Sequence, residues 1–184
     1  MNPIFEAALE VETACLDAVF RFCFIGGLAV QRWGEPRLTQ VVDLTLLTGF
    51  GGEEPYVEAL LARFRGRLID AATFALEHRV LLLVASNGTP IDVSFGAMPF
   101  EERSIERSSC FSIAEGVTLQ TCSAEDLVVH KAFAGRDKDW MDIRGIVDRR
   151  GPSLDRALIW EEVTPLFELQ GGPEGTARLR GLLG

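Results

Sequence analysis

Lysine is nearly absent from this chain. Of 18 basic residues, only Lys131 and Lys138 are lysines, and the rest are arginine. Histidine occurs twice. The four cysteines (Cys15, Cys23, Cys110 and Cys122) lack Cys-x-x-Cys spacing, which argues against a zinc site and a disulfide framework. Thiols used in this way fit a reducing, cytoplasmic setting. No apolar run reaches the roughly 18 residues that a bilayer span needs. No basic segment precedes an apolar stretch at Met1–Glu6, so neither a secretory signal nor a membrane role is expected. GxGxxG, GxxxxGK[ST] and GxSxG are all missing, which disfavours Rossmann, P-loop and serine-hydrolase readings.

The composition present is that of an ordinary globular chain of 184 residues, 47% hydrophobic and 24% charged, with a net charge of −9. One compact unit is expected. An evenly acidic surface repels nucleic acid, whose sequence-independent affinity comes from Lys and Arg on phosphates. A small nucleotide or a local basic patch stays compatible with that balance. Arginine suits bidentate phosphate contacts, although most arginines are solvated surface residues.

Pro3 and a loose apolar stripe predict a helix to about Val19. Phe22–Ile25 reads as a short buried strand ending at Gly26-Gly27, and Leu28–Trp33 as a helix stopped by Gly34 and Pro36. Val41–Leu47 reads as a second strand. Gly49–Gly52 is a turn, and Glu53, Glu54 and Pro55 open a helix to about Phe64. Val80–Ala85, Asn87-Gly88 and Ile91–Phe95 form a hairpin. Cys110–Ile113 and Val117–Thr121 are weaker strands. Ser123 caps a helix to about Ala134, Asp137–Arg149 forms another, and Ser153 opens a third. A short helix follows Gly171-Gly172-Pro173. The expected sum is an α+β arrangement with a mixed sheet of four or five strands.

Three segments carry candidate chemistry. At Gly26-Gly27 a strand feeds a helix start, where free amides with little side-chain bulk can approach a phosphate; a tight turn alone is the plainer alternative. Asp43 and Asp92 lie among strand-forming apolar residues. Each must face solvent, a partner or a metal, because burying an unpaired acid is costly. Two carboxylates near a helix N-terminus could hold Mg²⁺ against a triphosphate. Lys131 could equally snorkel from an amphipathic helix, and His130 reads as a packed helix histidine. Arg136, Lys138, Arg144, Arg149 and Arg150 interleave with Asp137, Asp139, Asp142 and Asp148, so a salt-bridged helix face competes with an RNA-contacting one.

Gly26-Gly27, the spacer 28–40 and the acid-bearing strand resemble the polymerase-beta-type nucleotidyltransferase fold. The stretches GGLAVQRWGEPRLTQVVDLTLL (26–47), PIDVSFGA (90–97) and AEDLVVHKAFAGRDKDWMDIRGIV (124–147) are similar in detail to the nucleotidyltransferase toxins of abortive-infection (AbiEii-like) systems. This resemblance implies a small mixed sheet with flanking helices in a core over 1–122. A helical region over 123–184 would pack on that core. It implies transfer of a nucleoside monophosphate from a nucleoside triphosphate to an acceptor hydroxyl on RNA or protein, with a cognate antitoxin as partner. In that family three carboxylates hold two Mg²⁺ ions, two of them as Asp-x-Asp and the third on a later strand. Asp43 matches the second carboxylate and Asp92 the third, as ligand or base. Gly26 and Gly27 would cradle the triphosphate, Lys131 would lie near the phosphates, and Arg37 and Thr39 near the phosphate and metal cleft.

The first carboxylate position is Val41, which cannot bind a metal. By analogy with other single transition-state contacts, that loss costs roughly 10²-fold in rate. Two readings therefore stand: a Mg²⁺-dependent nucleotidyltransferase toxin, and a nucleotide-binding or regulatory protein of the same fold that has lost transfer.

Overall fold

The structure is a computed structural model that describes residues 2–171 and 174–184. Gly172 and Pro173, which the sequence reading placed in the last interhelical break, lie outside the described residues. The chain opens with α1 (Pro3–Asp17), whose first turn is capped by Asn2 Oδ1 accepting from the Ile4 amide at 3.0 Å. It continues through β1 (Phe22–Phe24), α2 (Gly26–Trp33), β2 (Val42–Leu47), α3 (Glu54–Leu61), β3 (Arg65–Gly66) and α4 (Ala71–His78). Next come β4 (Val80–Val84), β5 (Pro90–Gly96), α5 (Pro99–Glu106), β6 (Ser109–Ala114) and β7 (Val117–Thr121). Four helices close the chain: α6 (Ala124–Ala134), α7 (Asp137–Arg150), α8 (Arg156–Gln170) and α9 (Glu174–Leu183).

The strands form one sheet in the order β3-β4-β5-β2-β1-β7-β6. The β2–β5 and β1–β7 pairs are parallel and the others antiparallel. The expected mixed α+β class holds, but the sheet has seven strands among the described residues rather than four or five. Helix α8 begins at Arg156, not at Ser153, because Asp155 Oδ1 takes the Leu158 amide at 3.0 Å. The glycines belong to α2 itself, which starts two residues before the expected Leu28.

Strand alternation decides where the functional residues point. Val42, Leu44 and Leu46 of β2 and Ile91, Val93 and Phe95 of β5 are buried against α1, α3 and α4. Asp43 and Asp92 therefore face the opposite side. There α2, α6, α7 and α8 bury a second cluster that includes Ala29, Val30, Leu127, Val128, Ile143, Ile146, Ile159 and Val163. A one-residue slip of either strand would drive its aspartate into the first apolar cluster. Burial of each large aliphatic, worth about 1.5–3 kcal/mol, thus locks both carboxylates onto one face.

His130 on α6 packs its ring against Phe100, with centroids 4.8 Å apart, and lies 3.3 Å from Ser104 Oγ. Burial pulls its pKa down to about 4. The folded protein thus resists a proton that the unfolded chain accepts near pH 6.5, so stability falls as pH drops between those values. We expect a loss of about 2 kcal/mol between pH 7.5 and pH 5 from this group. Urea unfolding at both pH values should show the loss, and His130→Gln should remove most of it. An equal slope in the variant would refute the assignment.

Candidate active site

β1 enters α2 through Gly26, whose φ is +57°. This left-handed conformation suits glycine. A Cβ on Gly26 would stand 2.3 Å from Asp43 Oδ2, and one on Gly27 would stand 2.3 Å from Thr39 Oγ1. Both glycines therefore exist to admit neighbours, an acid at one and a hydroxyl at the other. Ile25 offers no side-chain cap to α2. The Asp43 carboxylate takes that place by accepting from the Gly27 amide, at the positive end of the helix dipole.

Asp43 and Asp92 are directly opposite each other in the parallel β2–β5 ladder. Burial pushes the Asp43 carboxyl above the usual carboxylate range, and the negative charge of Asp92 pushes it further. The Gly27 amide, Lys131 and Lys138 pull the other way without prevailing. This carboxylate pair therefore favours a cation. Asp92 is ion-paired with Arg67.

A cleft of about 570 Å³ lies over the pair, lined by Gly26, Gly27, Arg37, Thr39, Asp43, Asp92 and Lys131 among others. Its volume is in the range of small-ligand sites. The structure thus brings the residues of the nucleotidyltransferase resemblance to one place, with Val41 lining the same cleft, whereas Arg144, Arg149 and Arg150 lie outside it. The Thr39 hydroxyl donates to the Val41 carbonyl at 3.1 Å, tying the loop before β2.

The wall facing the aspartates is built from α6 and α7. Lys131 Nζ lies 2.9 Å from Asp139 Oδ1 and 2.7 Å from Asp142 Oδ2, all three side chains buried. Arg37 holds Asp142 through two bonds of 2.8 and 2.9 Å. Arg136 Nε donates to Asp139 at 2.6 Å. Burial alone would raise both carboxyls, but Arg136 and Lys131 hold Asp139 low, and Arg37 and Lys131 hold Asp142 low. Three cations thus share two carboxylates. Lys138, exposed at the cleft rim in the first turn of α7, has no carboxylate partner among the described residues.

Lys131 is therefore less free than the sequence reading implied, because two acids already hold its ammonium. The sequence reading missed Arg67 and the organising role of Asp139 and Asp142. The Asp139/Asp142 spacing of three on one helix, eight and eleven residues after Lys131, was a usable signal. Of the interleaved basic stretch, Arg136 pairs with Asp139 three residues on, as a salt-bridged face would have it.

No family model and no curated protein matches the chain. Solved structures do. An antigenic nucleotidyltransferase-like protein from Paracoccidioides brasiliensis is 18% identical, with a TM-score of 0.55 over 97% of this chain and 93% of that one. ANT(2'')-Ia in complex with adenylyl-2''-tobramycin is 16% identical, with a TM-score of 0.54 over 90% of this chain and 98% of that one. At such identities the likeness speaks of architecture, and the architecture is plain: this chain has the nucleotidyltransferase fold.

Proposed function

We propose that the chain binds a nucleoside triphosphate in this cleft and slowly transfers its nucleoside monophosphate to an acceptor hydroxyl. The observation that carries the reading is the side-by-side placement of Asp43 and Asp92 beneath the glycine turn of α2, facing a cationic wall. Two adjacent carboxylates, one of them desolvated, fit one Mg²⁺ completed by water and phosphate oxygens. They do not fit the two ions of the family pattern, since Val41 offers no ligand. Among the described residues no group of three or more His, Cys, Asp or Glu side chains suits a metal. Asp43 and Asp92 would hold Mg²⁺, which would supply charge stabilisation at the reacting phosphate and lower the pKa of the attacking hydroxyl.

The chain's own residues do the rest. Asp92 accepts the proton of the acceptor hydroxyl as that oxygen bonds to the α-phosphorus. The bond from the α-phosphorus to the bridging oxygen breaks, and pyrophosphate leaves. Arg37, Lys131 and Lys138 meet its charge, and the first turn of α2 holds the triphosphate by amide donors and dipole. The abortive-infection resemblance supports a toxin with an RNA or protein acceptor and an antitoxin partner, acting in the cytoplasm. ANT(2'')-Ia, whose complex holds an adenylylated aminoglycoside, supports a small-molecule acceptor on the same chemistry. Val41 favours a second reading, a regulatory protein that binds the triphosphate without transfer.

Calorimetry with each nucleoside triphosphate and Mg²⁺ tests the binding step. Heat should appear with at least one triphosphate, and Asp43→Asn should weaken it at least tenfold by removing a cation ligand. Heat with none of them, or equal affinity in the variant, would refute the proposal.

A further inference from the structure

Arg67 lies outside every motif considered so far, yet the sheet delivers it to the carboxylates. It follows β3 directly, and its amide donates to the Leu82 carbonyl at 2.9 Å, extending the β3–β4 ladder by one residue. Leu82 is opposite Asp92, and Asp92 is opposite Asp43. Arg67, Leu82, Asp92 and Asp43 therefore form one row across four strands, and residues directly opposite one another share a face. Arg67 and Asp92 are two strand spacings apart, about 10 Å. An arginine laid across Leu82 spans that gap, and the ion pair between Arg67 Nη2 and Asp92 Oδ1 is formed. No other hydrogen bond or ion pair of the Arg67 side chain occurs among the described residues.

We propose that Arg67 is a positioning residue for the carboxylate pair: an internal cation that holds Asp92 from the β4 side and competes with a free divalent ion. The inference rests on Asp43 and Asp92 being cation ligands. With Arg67 in place, one Asp92 oxygen is engaged and the two carboxylates present a net charge of −1. A bare hydrated ion gains little there and keeps its water. An ion carried by a triphosphate brings anionic phosphates to the cationic wall of Arg37, Lys131 and Lys138, and enters on their attraction. Arg67 thus makes ion entry depend on nucleotide. It also supplies at the floor some of the positive charge that a second metal would bring in a three-carboxylate site.

The test is Mn²⁺ binding without nucleotide, followed by electron paramagnetic resonance, with folding checked by circular dichroism. Arg67→Gln should bind Mn²⁺ tenfold or more tightly than the unmodified protein, since a full positive charge next to the ligands is gone. Arg67→Lys, which keeps the charge, should stay within about threefold of the unmodified protein. Adding Asp92→Asn to Arg67→Gln should erase the gain. Arg63→Gln, which opens an exposed pair with Asp17, should change nothing. Equal Mn²⁺ affinity in Arg67→Gln and the unmodified protein would overturn the inference, as would a gain in Arg67→Lys equal to that in Arg67→Gln. Absence of triphosphate binding in calorimetry would instead count against the function proposed above and leave the Mn²⁺ contrast standing.

Discussion

Val41→Asp is expected to raise nucleotidyl transfer by roughly 10²-fold, the scale of a single transition-state contact restored. Val41 immediately precedes β2 and lines the same cleft as Asp43 and Asp92, so an aspartate there can join them. The new carboxylate makes the floor competent for a second ion and for better charge stabilisation of the departing pyrophosphate. Transfer of label from an α-labelled triphosphate to RNA, protein or small polyols, measured side by side in both proteins, reads the effect. Asp92→Ala added to Val41→Asp should abolish the gain, because the proton acceptor is lost. A folded Val41→Asp protein that binds triphosphate yet transfers no more than its parent would favour the regulatory reading. Strong transfer by the unmodified chain would show that two carboxylates suffice.

Lys131→Met is expected to destabilise the fold by about 3 kcal/mol at pH 7, the lower end for breaking a buried ion pair. Removing Nζ leaves Asp139 and Asp142 buried on consecutive turns of α7 with one arginine each. Both carboxyls are held below their ordinary value of 3.8. The stability they contribute is therefore present above about pH 4 and lost as pH falls through their folded values. The deficit of Lys131→Met should accordingly begin to shrink below about pH 4 and keep shrinking as the pH falls through the folded values. Urea unfolding in steps from pH 7 down to about pH 2.5 separates the cases. A deficit of the same size throughout would mean that packing of the lysine stem, not its charge, is what the fold uses.

Local signals carried the site further than they carried the sheet. The apolar-acid-apolar rhythm around Asp43 and Asp92, and the glycine pair between strand and helix, lie within a few residues each, so they could be read from the chain. Helix α5 was also readable and was missed. Pro99 opens it, and Glu101 accepts from the Ala97 and Met98 amides at 2.8 and 2.9 Å, which is a start signal written in sequence. Helix α4 offered Ala71–His78, rich in good helix formers, after Asp70. Strand β3 is different in kind. Arg65 and Gly66 are a strand only because Val84 and Leu83 lie beside them, and no window of sequence contains that pairing. The reach of Arg67 to Asp92 depends on the same non-local register. The role of Asp139 and Asp142 likewise depends on α6 and α7 meeting around Lys131.

The central claim is that Asp43 and Asp92 form the floor of a triphosphate site. A crystal of the protein grown with Mn²⁺ and a triphosphate bearing a non-hydrolysable α,β bridge tests it directly, with manganese located by anomalous scattering. The account expects one manganese bound by both aspartates and the phosphates lying against the first turn of α2. Triphosphate bound elsewhere, or manganese away from both carboxylates while the cleft holds neither, would contradict it.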